Sequence, residues 1–289
     1  MKKKISLGLI MIASLALIFG AWQIWQRQES GKKLKHESVP TLFFHGGGSS
    51  YHAEEHMVNA AKKAGASNKS IIAFVDKNGK VRLQGKLKQS DKNPLVMVNF
   101  ENSTNFNFKD RGRYATNVIK ALEKVYSFKK VNMVGHSAGN IAIVYYMLQN
   151  GQNKSMPQVQ KYVAIAGHFA GLNFKGIPDA IHQPEDLKLD KDGKPNKMNA
   201  TYQEMTKLRE TYPKNRTQII NLIGNIGGHT DGTVPNASSL SLKYLVSPVA
   251  KSYQEKTFTG PKAKHSKLHS NPQVNKTLIN FIWGKSGKI

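Results

Sequence analysis

The stretch VNMVGHSAGNIAIVYYM, Val131 to Met147, decides how the chain is read. Its first residues are strand-like, a Gly-His-Ser-Ala-Gly corner follows, and beyond the corner the apolar spacing changes to that of a helix. A serine hydroxyl is a poor nucleophile until a base takes its proton, and it must project from the backbone to reach an acyl carbon. A sharp strand-to-helix turn projects it, but strains the backbone at the serine and brings strand and helix very close. Side chains two residues to either side would collide, and Gly135 and Gly139 remove them. The corner therefore predicts Ser137 as a nucleophile. The competing reading is an ordinary glycine-rich turn, and the flanking pattern decides between them.

Working outward, Pro40 to Phe44 is a short apolar strand that runs into His45-Gly46-Gly47-Gly48. A tetrahedral intermediate needs two or more N–H donors aimed at its oxyanion, and a glycine-rich loop lets backbone approach substrate closely. Gly47 and Ala138 are the expected donors, with His45 and His136 expected to line the substrate pocket. A phosphate-binding loop is the alternative, but the Lys-Ser/Thr of a P-loop and the spacing of a dinucleotide fingerprint are both missing.

Behind the serine come Asp231, in the turn-like GGHTDGTVPN after a strand over 217–226, and His269, between a strand over 253–258 and the last helix. A serine, an acid and a histidine in that chain order, each after a successive strand, is the arrangement of α/β-hydrolases. The expected triad is Ser137, Asp231 and His269. His265 is a rival base, set aside because it sits in the lysine-rich GPKAKHSKL. His229 and His168, near strand ends, are read as satisfied histidines or pocket lining. The Asp190-Lys-Asp-Gly193 run has Lys188 at the first ligand position of a calcium loop and no bidentate Glu at the required distance. It is read as a turn, and the expected chemistry needs no metal and no cofactor.

The remaining pattern gives an α/β class. Pro94 to Phe100 is a continuous apolar strand, and Arg111 to Phe128 is an amphipathic helix with Val118, Ile119, Leu122 and Val125 on one face. Ile71 to Val75 and Lys80 to Leu83 form a hairpin whose Asn-Gly suggests a type I′ turn. Asn271 caps a final helix that has Pro272 at its first position and runs to about Trp283. Strands alternating with helices, with apolar central strands, predict a mostly parallel sheet with helices on both faces. Residues 167–215 loosen into a polar, turn-rich, cap-like insertion above the sheet's carboxyl edge, where such sheets bind ligands.

Forty-three Lys and Arg against 18 Asp and Glu give a formal charge of +25 over 289 residues. The lysines are scattered and arginine is rare, which does not fit a nucleic-acid reader. An anionic membrane or cell-wall surface is the expected large partner, with a solvated surface of diffuse positive charge as the alternative reading. MKKK and the low-charge run Ile5 to Trp22 read as an N-terminal signal or anchor segment over 1–25, with a linker over 26–38 and a catalytic domain over 39–289. The domain is then extracytoplasmic, anchored or secreted. Absence of cysteine excludes a disulfide scaffold, a thiolate nucleophile and a lipidated cysteine.

Several runs together (HGGGSSYHAEEHMVNAAKKAG, VDKNGKVRLQG, VNMVGHSAGNIAIVYYM, TDGTVPNASS and HSKLHSNPQV) resemble the membrane-anchored cell-surface hydrolases of low-GC Gram-positive bacteria. The resemblance covers nearly everything after the linker. It implies an α/β-hydrolase fold with Ser137 as nucleophile, Asp231 as acid and His269 as base. Ala138 and Ser270 depart from that pattern, where Met and an acidic residue are frequent, and this bears on pocket shape and on polarity beside the base. The expected activity is hydrolysis of a small-molecule or lipid ester, carboxylesterase- or lipase-like, through an acyl-enzyme. The alternative is a non-catalytic surface module that binds anionic wall polymer or lipid through its lysines.

Overall fold

The computed structural model describes residues 37–284. The expected anchor segment, and the linker up to residue 36, lie outside the described residues. The apolar runs become strands: β1 (Thr41–Phe44), β2 (Ser70–Val75), β4 (Leu95–Phe100), β5 (Lys130–His136), β6 (Gln158–Ile165), β7 (Gln218–Asn225) and β8 (Ser252–Thr259), with β3 (Val81–Gln84) paired to β2. They form one sheet in the order β3-β2-β4-β1-β5-β6-β7-β8. All pairings are parallel except that of β2 with β3.

Because side chains alternate across a strand, the central strands feed two cores. Leu42 and Phe44 of β1 pack with Val96, Val98 and Met133 beneath α2 (Phe108–Glu123) and α3 (Gly139–Asn150). Phe43 points the other way and packs with Met97, Val134 and Val163 against α1 (Glu55–Lys63) and α9 (Pro272–Trp283). The final helix has the expected bounds, and the Asn271 side chain accepts the Gln273 N–H at its start.

Two local expectations are corrected. α2 begins at Phe108, because Asn107 caps it by accepting the Asp110 N–H, and it ends at Glu123, leaving Val125 beyond it and 50% exposed. The hairpin turn is not type I′: Gly79 alone takes a positive φ (+87°), while Asp76 Oδ1 accepts the N–H groups of Asn78 and Lys80 at 2.9 Å each. That bonding makes a type I turn followed by a glycine bulge. The run Asp190 to Lys194 repeats it, with Gly193 at φ +78° and Asp190 Oδ1 accepting from Asp192 and Lys194.

Within residues 167–215, α4 (Ala200–Met205) and α5 (Leu208–Thr211) bury Tyr202, Met205 and Leu208 completely. Tyr145 of α3 donates to Glu204 at 3.0 Å, and Tyr202 donates to the Ser241 carbonyl at 2.8 Å, between α6 (Asn236–Leu240) and α7 (Leu242–Val246). In a parallel sheet all strands point one way, so the segments after β1, β5, β7 and β8 emerge at one carboxyl edge. That shared edge is what can bring residues 45–48, 137, 231 and 265–269 together.

Candidate active site

Ser137 follows β5 and precedes α3 at φ +52°, a left-handed conformation that costs a non-glycine residue of order 1–3 kcal/mol unless its surroundings hold it. The surroundings do hold it. Its N–H donates to the Ile165 carbonyl at 2.9 Å. Asn140 Nδ2 donates to the Ser137 and Ile165 carbonyls at 3.0 Å each, and Asn140 Oδ1 accepts from the Tyr162 hydroxyl at 2.9 Å. Sequence reasoning missed Asn140; its only signal was one amide within the apolar run after the corner. The two glycines make the turn possible. A Cβ on Gly135 would stand 2.7 Å from Asn140 Oδ1 and 2.8 Å from Asn140 N, and one on Gly139 would fall on the Phe44 carbonyl.

The loop after β1 lies alongside. A Cβ on Gly46 would stand 3.1 Å from Ser137 Cβ, and one on Gly47 would be 3.8 Å from Ala138 Cβ. Among the described residues, neither the Gly47 nor the Ala138 amide donates to another protein group. Arg111 of α2, 2% exposed, steadies the loop that borders Gly47: its Nε donates to the Asn105 carbonyl at 2.7 Å and its Nη2 to the Ser103 carbonyl at 2.5 Å. Burial pulls its pKa down to about 10, which leaves it cationic at neutral pH.

His45 does not line a pocket, contrary to the expectation. It is fully buried; Nε2 accepts the Phe100 N–H at 3.0 Å, so Nδ1 carries the proton and donates to the Gly46 carbonyl at 2.8 Å. The imidazole is a neutral brace for the glycine loop. Burial lowers its pKa to about 4. The unfolded chain then binds more protons than the folded one between about pH 4 and 6.5, so stability is full above pH 6.5 and falls as acid is added. The expected loss from His45 is about 3 kcal/mol at pH 4, at about 1.4 kcal/mol per pKa unit. The free energy of denaturant unfolding should fall by at least this much between pH 7.5 and 4, since the pKa values of His136, His168 and His269 are lowered in the same direction, and His45→Gln should remove about 3 kcal/mol of the fall.

The candidate acid, Asp231, is 1% exposed and lies in the turn after β7. Its Oδ1 accepts the N–H groups of Thr233 (2.9 Å) and Val234 (2.7 Å), which fixes the carboxylate plane. Its Oδ2 accepts a hydrogen bond from Nδ1 of His265 at 2.7 Å, and the His265 N–H donates back to the Asp231 carbonyl at 2.8 Å. The partner of the acid is therefore His265, and the expected pairing of Asp231 with His269 is corrected. β8 ends at Thr259, a turn over Pro261–Ala263 folds back, and α8 (His265–Leu268) opens with the histidine above Asp231. Gly224 of β7 permits this: a Cβ there would stand 2.9 Å from Asp231 Cβ and would strike the Ala263 carbonyl. His269 lies one turn further on, its ring 5.1 Å from His136 and 6.4 Å from His56, with a buried Nδ1 that has no partner. Burial, then the field of His56, lowers its pKa.

His136, expected to line the pocket, is 6% exposed, and its Nε2–H braces the His265 backbone by donating to that carbonyl at 3.1 Å. The two rings are 4.9 Å apart, and burial first, then His265 and His269, drives its pKa well down. His168 is buried beside Phe108, its pKa lowered to about 3 by burial and then by Arg111, while His229 is exposed at φ +58°. Ser137, Gly47, Ala138, Asp231 and His265 thus occupy one edge, linked through His136, which follows Gly135 in the chain and bonds the His265 backbone.

Residues 28–285 match the family described as "Alpha/beta hydrolase of unknown function (DUF915)". Among solved structures, the product of the Listeria innocua gene lin2722 superposes with a TM-score of 0.74 at 24% identity, over 84% of this chain and 93% of that one. A Lactobacillus plantarum WCFS1 protein, provisionally named a cell surface hydrolase, superposes with a TM-score of 0.66 at 19% identity, over 84% and 89%. These likenesses show a shared fold. A search of curated proteins finds no match.

Proposed function

The chain belongs to the α/β-hydrolase family whose pattern it matches, and on that premise we propose a serine hydrolase acting on carboxylic esters through Ser137, His265 and Asp231. The observation that carries the proposal is the 2.7 Å bond from His265 Nδ1 to a carboxylate that is itself pinned by two backbone amides. A proton held on Nδ1 leaves the Nε2 lone pair as the base, and this is the tautomer a general base needs.

In the reaction so built, His265 Nε2 takes the Ser137 hydroxyl proton as Oγ attacks the acyl carbon. The amides of Gly47 and Ala138 donate to the developing oxyanion. His265 then protonates the leaving alkoxide, giving an acyl-serine and an alcohol. Water, deprotonated by the same nitrogen, attacks the acyl-serine, and collapse of the second intermediate releases the carboxylic acid and restores Ser137. Asp231 stays ionised, holds the tautomer and stabilises the imidazolium formed in each half-reaction.

Residues 167–215 act as a cap beside this edge, and the domain works outside the cytoplasm, held by the N-terminal apolar run. The test is hydrolysis of activated short-chain esters by wild type and Ser137→Ala. We expect activity in the first and none above background in the second, with unfolding shifted by less than about 1 kcal/mol. Undiminished activity in the variant overturns the proposal.

A further inference from the structure

The edge of the sheet opposite Ser137 has its own character. β5 runs for seven residues from Lys130 to His136, so at about 3.3 Å per residue the two edges are about 20 Å apart. At the amino edge, a groove across the starts of β5 to β8 is lined by Lys129, Lys130, Lys154, Arg216 and Lys251 and by no acidic residue. All five are exposed, and none makes an ion pair among the described residues. A second groove, at the starts of β2 and β4, adds Lys62, Lys63 and Lys92 against a single acid, Asp91.

The described chain enters between these grooves. The Asn93 N–H donates to the Glu37 carbonyl at 2.7 Å, and the Asn132 N–H donates to the Pro40 carbonyl at 2.9 Å, so the segment leading into β1 is fixed at the middle of the amino edge. Thirty-six residues precede it, among them the low-charge run Ile5 to Trp22. Like charges gathered without counterions repel one another and raise the cost of folding unless an external anion neutralises them. An anionic bilayer offers a plane of phosphates, and its attraction for each lysine near the surface is about 1 kcal/mol.

We propose that the amino edge of the sheet is a docking face for an anionic phospholipid surface, with Lys129, Lys130, Lys154, Arg216 and Lys251 at its centre. The point where the chain enters favours lipid over a wall polymer, because an apolar run attached at this edge brings the same face down onto the bilayer that receives the run. Ser137 then opens about 20 Å away from the headgroups, toward solutes and polymers beyond the membrane rather than into the leaflet beneath. The inference does not rest on the catalytic assignment, and inactive Ser137→Ala chain serves equally for its test.

The full chain is reconstituted into phosphatidylcholine vesicles with or without phosphatidylglycerol, acetylated briefly with an amine-reactive reagent and mapped by mass spectrometry. Labelling of Lys129, Lys130, Lys154 and Lys251 should fall about fivefold or more with phosphatidylglycerol, and recover at about 1 M salt, where screening acts within about 3 Å. Lys175 and Lys264, on loops of the carboxyl edge, should label alike in both vesicles. Equal labelling of the amino-edge lysines in both vesicles, or equal protection of Lys175 and Lys264, overturns the proposal. Protection by soluble poly(glycerol phosphate) with none from the vesicles also overturns it, in favour of a polymer.

Discussion

Replacing His265 by Ala should lower kcat/KM for an activated ester about 10⁴-fold, while His269→Ala should stay within about tenfold of wild type. The two histidines share a short loop, and both are close to His136. Only one meets the acid. His265 receives the carboxylate on Nδ1 and the Asp231 carbonyl on its backbone amide, so its ring and its tautomer are both fixed. His269 has a buried Nδ1 with no partner and a pKa lowered chiefly by burial. Its ring meets the Ala53 backbone and, among the described residues, no carboxylate, so nothing there stabilises the imidazolium that a general base becomes. Asp231→Asn should lower kcat by about 10⁴ with little change in KM, because an amide there can hold the opposite tautomer. A His269→Ala variant as damaged as His265→Ala would contradict the assignment of the base to His265.

Gly139→Ala should cost about 4 kcal/mol or more, an unusually large effect for one methyl group. The added carbon would fall on the Phe44 carbonyl in a central strand, where neither the β1 backbone nor the first turn of α3 can yield. Because Phe44 leads directly into the glycine loop, any relaxation also displaces Gly47 from Ser137. Gly48→Ala is the control: φ is +67° and no atom lies within 4 Å of the added carbon, so only the left-handed backbone penalty of about 1 kcal/mol applies. Urea unfolding of the two variants separates the mechanisms, and a cost below about 1 kcal/mol for Gly139→Ala would contradict the packing described for the elbow.

The parts of the site legible in the sequence are those set by local backbone physics. Gly135 and Gly139 flank Ser137 because strand and helix approach too closely for side chains there, and any chain making that turn must show it. Apolar strands such as Leu95–Phe100 declare burial on both faces, and Asn271-Pro272 declares the start of the last helix. What was illegible depends on long-range packing. His265 sits among lysines that suggest a solvated loop, yet its side chain is only 13% exposed, because the turn at Ala263 seats against Gly224. Gly224, a glycine inside an otherwise apolar strand, was the signal available, since such a glycine often marks the close approach of another backbone. His45 and His136 read as pocket residues from their neighbours in sequence, but only their bonds to Phe100, Gly46 and His265 reveal them as braces.

The central claim is that the Asp231–His265 pair activates Ser137. The most direct measurement is mass-spectrometric mapping of a fluorophosphonate adduct on the folded full chain, comparing wild type with His265→Ala and His269→Ala. The account predicts one adduct, on Ser137, forming at similar rates in wild type and His269→Ala and at least about 10³-fold more slowly in His265→Ala. Rapid labelling of Ser137 in His265→Ala, or an adduct on a different residue in wild type, would contradict it.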